Sequence, residues 1–117
     1  MTSKTFQDVE LWQLAHTWVL DIYRFTRAFP KQELYGLSSQ LRRAAVSPGN
    51  FAEGFKKLGL GDKLRFYNIA QGSLEESRYY LILARDLDYG DVALLERKAE
   101  QISKMLDGYM RSVRRAK

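Results

Sequence analysis

Apolar residues recur at steps of three and four along four stretches of this chain, and that spacing does most to narrow its possible folds. Leu11, Ala15, Trp18, Ile22, Phe25 and Phe29 trace one seam; Leu34, Leu37, Leu41, Ala44, Phe51 and Phe55 trace a second. Leu60, Leu64, Tyr67, Ala70, Leu74, Ser77, Leu81 and Ala84 form a third, and Val92, Leu95, Ala99, Ile102, Leu106, Tyr109 and Val113 a fourth. Such spacing lines one face of an α-helix, whereas a half-buried strand would alternate every second residue. Pro30 closes the first seam, Gly59 and Gly61 mark a turn after the second, and Gly90 lies in a turn at Asp88 to Asp91. Pro48 interrupts the second seam. It predicts a kinked helix two, because proline lacks the N–H of an interior turn and its ring collides with the carbonyl four residues back.

Helices of roughly 20 residues are ~30 Å long, and short connections force neighbours to run antiparallel. The expected fold is all-α, an antiparallel up-down-up-down four-helix bundle kinked near Pro48, and residues 1–117 form one domain. Tyr79 to Ala84 is apolar around more than a full turn of helix three. Either the tyrosines sit at a wet rim or this face meets a second subunit. Gly54, Gly72 and Gly108 lie inside predicted helices, where each costs roughly 1 kcal/mol relative to alanine. Close helix packing or solvent exposure must account for each.

The chain has no cysteine and one histidine, His16. Thiolate chemistry is absent, and no Glu-x-x-His pair exists from which a di-iron bundle could be assembled. Gly59-Leu60-Gly61 lacks the spacing of a phosphate-binding loop, and Glu53, Glu75 and Glu76 have no catalytic partners in the sequence. The expectation is a protein with no enzymatic activity, catalytic residue, metal or cofactor. Met1 to Lys4 carries no apolar stretch, and the longest apolar run is Tyr79 to Ala84, far short of the ~20 residues a membrane span needs. A cytoplasmic location without membrane contact is expected.

Nineteen basic residues face fourteen acids, and the surplus is segregated. From Arg42 to Arg65 six basic residues meet two acids, and from Lys104 to Lys117 five meet one, each a net +4. From Glu75 to Glu100 seven acids meet four basic residues, a net −3. Antiparallel topology gathers Lys56, Lys57, Lys63, Arg65, Arg111, Arg114, Arg115 and Lys117 at one pole and sends Asp86, Asp88 and Asp91 to the other. The basic pole is a candidate nucleic-acid surface, with a solvated charge cluster as the alternative. Arg42 and Arg43 point about 100° apart on a helix, so at least one lies near a helix or subunit boundary. Guanidinium there suits bidentate pairing either to a carboxylate or to a phosphate.

Three segments carry a further signal: Phe29-Pro30-Lys31-Gln32-Glu33-Leu34-Tyr35-Gly36-Leu37, Gln40-Leu41-Arg42-Arg43-Ala44-Ala45-Val46-Ser47, and Asn50-Phe51-Ala52-Glu53-Gly54. With Phe66-Tyr67-Asn68-Ile69-Ala70-Gln71-Gly72-Ser73-Leu74-Glu75-Glu76 they resemble the bacterial four-helix-bundle family encoded in intervening sequences of large-subunit ribosomal RNA genes. The resemblance covers roughly residues 6 to 90; the last helix matches only in pattern. Here Ser47 is followed directly by Pro48 and Gly49, where that family usually has an aliphatic residue before the proline. The resemblance implies a homopentamer with a basic surface, and carries Arg42 and Arg43 over as nucleic-acid contacts. It also implies kinship with accessory proteins of diversity-generating retroelements, which bind a reverse transcriptase and nucleic acid. The expected function is oligomeric nucleic-acid binding, RNA first; the alternative is a scaffold for a protein partner such as a reverse transcriptase.

Overall fold

The computed structural model describes residues 4–116, and Lys117 of the expected basic pole lies outside them. Among the described residues there are five α-helices and no strand: α1 (Glu10–Thr26), α2 (Leu37–Ala45), α3 (Ser47–Lys56), α4 (Leu60–Asp86) and α5 (Ala93–Arg115). Two short 3-10 turns, Phe6–Asp8 and Lys31–Glu33, precede α1 and α2. The bundle is elongated, 47 × 23 × 20 Å, because the 27-residue α4 alone runs ~40 Å at 1.5 Å per residue.

Helix two of the sequence reading is two helices. α2 ends at Ala45, Val46 leaves helical geometry at φ −79° and ψ 22°, and α3 starts at Ser47. Pro48 then occupies the first turn of α3, where no N–H is needed, and its ring is spared the carbonyl clash of a continuous helix. Taken as one interrupted rod, α2 and α3 complete four rods with α1, α4 and α5.

Leu34 departs from its expected seam. It is 55% exposed, because α2 starts only at Leu37, whose N–H is taken by the Glu33 carboxylate at 3.1 Å. Phe29 lies beyond the end of α1 but stays buried, with its ring 5.0 Å from that of Tyr89. The Tyr89 hydroxyl donates to Glu33 at 2.7 Å, so one carboxylate starts α2 and holds the α4–α5 corner. Gly90 sits at φ 152°, and a Cβ there would come within 2.7 Å of the Phe25 ring. Asp86, the last residue of α4, and Asp88 and Asp91, in the connection to α5, lie at this corner.

The core runs through all the rods. Trp18, Ile22, Leu41, Tyr67, Leu74 and Leu81 are almost wholly buried, each stabilising the fold by roughly 1.5–3 kcal/mol for an aliphatic side chain and more for an aromatic one. Trp18 also donates its indole N–H to the Leu95 carbonyl at 3.1 Å, and Lys98 pairs with Asp21 at 2.9 Å, so α1 and α5 are joined by polar bonds as well as packing. Of the helical glycines, Gly54 is the close-packed one: a Cβ there would lie 2.7 Å from the Tyr67 ring and 2.9 Å from Phe66 Cβ. Gly72 faces open space, and Gly108 has only an ordinary contact with Arg111.

Candidate nucleic-acid interface

The end of α3, the start of α4 and the end of α5 share one end of the bundle. An open groove there is lined by Leu58, Leu60, Lys63, Tyr67, Tyr109, Val113 and Ala116. Its floor is aromatic: Tyr67 packs against Phe51 at 5.0 Å and Tyr109 at 5.5 Å between ring centres. Burial is the main cause that raises the pKa of both Tyr67 and Tyr109, whose hydroxyls also lie close enough to interact with each other. Both rings stay neutral at physiological pH.

The cations at this end fall into two groups. Lys63 turns inward, donating to the Phe55 carbonyl at 2.7 Å and the Gly54 carbonyl at 3.4 Å, which satisfies last-turn acceptors of α3. Burial lowers its pKa. Lys56, Lys57, Arg65, Arg111, Arg114 and Arg115 are exposed. Lys57 and Arg65 lie over the Phe66 ring, at 5.1 and 4.9 Å from its centre. Arg65 meets Asp62 only at 4.0 Å, while Lys56, Lys57, Arg111, Arg114 and Arg115 form no ion pair among the described residues. Opposite charge does not neutralise this surface.

Arg42 and Arg43 are placed elsewhere and differently. The Arg42 guanidinium donates to Thr26 Oγ1 at 2.7 Å and the Tyr23 carbonyl at 3.4 Å, and lies 4.8 Å from the centre of the Tyr23 ring. It binds α2 to the end of α1. Arg43 is exposed and close enough to Tyr80 to oppose the hydrogen bond to Glu76 that raises the Tyr80 pKa. Both arginines line an open groove with Leu34, Tyr35 and Val46, apart from the basic end.

The remaining polar residues singled out in the sequence are dispersed. His16 stacks on Trp12 at 4.9 Å, Glu53 is exposed, and Glu75 and Glu76 bond Arg78 and Tyr80 of their own helix. Among the described residues no cluster of three His, Cys, Asp or Glu side chains could hold a metal ion, and no helix is long and apolar enough to cross a membrane. Gln71, part of the helix-three motif, is held by Asp107 at 2.6 Å. Sequence reasoning missed the cation-covered ring of Phe66 and the capping role of Lys63. The adjacency of Arg65 to Phe66 was the one available signal, and neighbours in sequence on a helix do not normally face each other.

These features define a class: small all-α bundles with one cationic end. The chain belongs to the 23S rRNA-intervening sequence protein family, whose model matches residues 7–108. It is similar to the crystal structure of a protein of unknown function from the S23 ribosomal protein family of Bacteroides thetaiotaomicron. The TM-score is 0.76 over 86% of this chain and 97% of that one, at 20% identity, and this likeness concerns the fold alone. Comparison with curated proteins gave no match.

Proposed function

We propose that this protein is a non-enzymatic, oligomeric RNA-binding bundle that holds phosphates at its basic end and reads few bases. The observation that carries this reading is the set Lys56, Lys57, Arg111, Arg114 and Arg115, exposed and without ion pairs among the described residues. Arg65 and Arg43 supply further exposed guanidiniums, whereas Arg42 and Lys63 act through the fold. RNA is taken before DNA because the family is named for an intervening sequence of 23S rRNA, a name that gives where its members are encoded and not what they bind. The reading takes the rods as antiparallel, up-down-up-down. The contacts Trp18 to Leu95, Phe29 to Tyr89, and Gln71 to Asp107 favour that order. Self-association, as a pentamer in the family resemblance, is supported by Ile69, Tyr79 and Ile82, which α4 leaves exposed.

The test is a salt titration of binding to duplex, single-stranded and structured RNA, with light scattering in parallel. The expected result is a log affinity that falls steeply with log salt and a mass several times 13.6 kDa. Salt-independent binding, or none, rejects the reading. A scaffold for a protein partner such as a reverse transcriptase is the second reading, favoured by the groove in which Tyr35, 92% exposed, lies beside Leu34 and Val46.

A further inference from the structure

Phe66 is placed unlike the other five phenylalanines. Phe29 and Phe51 belong to the core, and Phe6, Phe25 and Phe55 pack against it, whereas Phe66 is partly exposed and outside that cluster. Its stem is held against α3, since Gly54 has room for no Cβ beside it. What covers the ring is charge, with Lys57 Nζ and Arg65 Cζ both within about 5 Å of its centre. Among the described residues, three of the four such contacts lie at the α3–α4 corner, counting Lys63 over Phe55.

A ring in this setting can exchange its partners. Both cations over it are exposed, and a phosphate attracts an ammonium or a guanidinium more strongly than a neutral ring does. Cations drawn to two successive phosphates would uncover the ring beside the base those phosphates flank. Every base has a face that can stack on an aromatic ring, but in a duplex both faces are already stacked on neighbouring bases. Only an unpaired base is free to move onto the ring.

We propose that Phe66, flanked by Lys57 and Arg65, is a stacking platform for an unpaired RNA base whose neighbouring phosphates those two cations hold. The inference rests on the RNA-binding reading and adds to it the class of strand bound at this corner.

The probes are a single-stranded RNA of about 12 nucleotides carrying 2-aminopurine and a blunt duplex of similar length, each titrated with the full chain and with Phe66→Leu. Wild-type protein should change the 2-aminopurine emission on binding. Phe66→Leu should abolish that change and weaken single-strand binding by about fivefold or more, leaving duplex affinity and the salt slope unaltered because no charge is removed. Single-strand affinity and 2-aminopurine response equal to wild type in Phe66→Leu overturn the proposal while the RNA-binding reading stands. If the wild-type chain binds neither probe, both fall together. Should Phe66→Leu fail to fold, Phe66→Trp serves instead. Its added indole emission must be quenched by the single strand and not by the duplex, and an unquenched signal refutes the platform.

Discussion

Arg42 Nε donates a 2.7 Å hydrogen bond to Thr26 Oγ1, and that hydroxyl in turn donates to the Ile22 carbonyl at 2.9 Å. A buried threonine at the end of α1 is thereby satisfied by a guanidinium from α2. A charged donor makes such a bond stronger than a neutral pair, and removing it would strand a buried acceptor.

Arg42→Ala should therefore destabilise the fold by about 1.5–3 kcal/mol in denaturant titrations, with little effect on the salt slope of RNA binding. Arg43→Ala should do the reverse, leaving stability within about 0.5 kcal/mol and lowering the slope by roughly 0.7–0.9 if the side chain meets a phosphate. Equal stability losses in the two variants would contradict the division of roles.

Changing Lys56, Lys57, Arg114 and Arg115 together to glutamate should weaken binding to all RNA sequences alike and flatten the salt dependence. Lys63 is left untouched because its ammonium caps α3. Unchanged affinity and slope in a variant that keeps its oligomeric mass would reduce this end to a solvated face.

Gly54→Ala and Gly72→Ala should move stability in opposite directions. The first drives a methyl group to within 2.7 Å of the Tyr67 ring and should cost about 1–3 kcal/mol; the second meets open space and should gain up to about 1 kcal/mol from helix propensity. Thermal melts of the two variants check this, and a stabilised Gly54→Ala would refute the packing argument.

The Glu33–Tyr89 bond predicts stability losses at both pH extremes. The Tyr89 hydroxyl and then the Leu37 N–H lower the Glu33 pKa below its ordinary 4.5, so this contribution is present above 4.5 and lost as pH falls through the folded value. The same bond raises the Tyr89 pKa above 10.0, so its contribution is present below 10.0 and lost as pH rises through the folded value. Wild type should exceed Glu33→Gln in stability near neutrality, by a margin that shrinks towards acid. A margin independent of pH would show that the carboxylate charge plays no part.

Much of the fold is legible before any helix is packed. Trp18, Ile22, Leu41, Leu74, Ala99 and Ile102 all fall on seams read from three- and four-residue steps, and all are buried. The period of a helix is a local property of the backbone, so the chain itself marks which faces must leave water. The break at Val46 is only half visible in this way: Pro48 predicts a kink, but whether the chain bends or leaves helical geometry there depends on what packs around it.

The basic end shows the boundary most clearly. Charge sign and helix order put Lys56, Lys57, Lys63 and Arg65 near one end of the bundle, where residue type alone makes all four equal candidates for phosphate contact or for a solvated cluster. Tertiary packing then separated them. The Phe55 carbonyl came within 2.7 Å of Lys63, while the Phe66 ring came beneath Lys57 and Arg65. Helical period, the positions of the turns and the segregation of charge follow from each residue and its near neighbours, so they are legible before the chain folds. Whether a given cation faces water, a ring or a carbonyl depends on how the helices pack against one another. A long side chain takes whichever acceptor lies within reach, and distances between helices are set by how their faces pack.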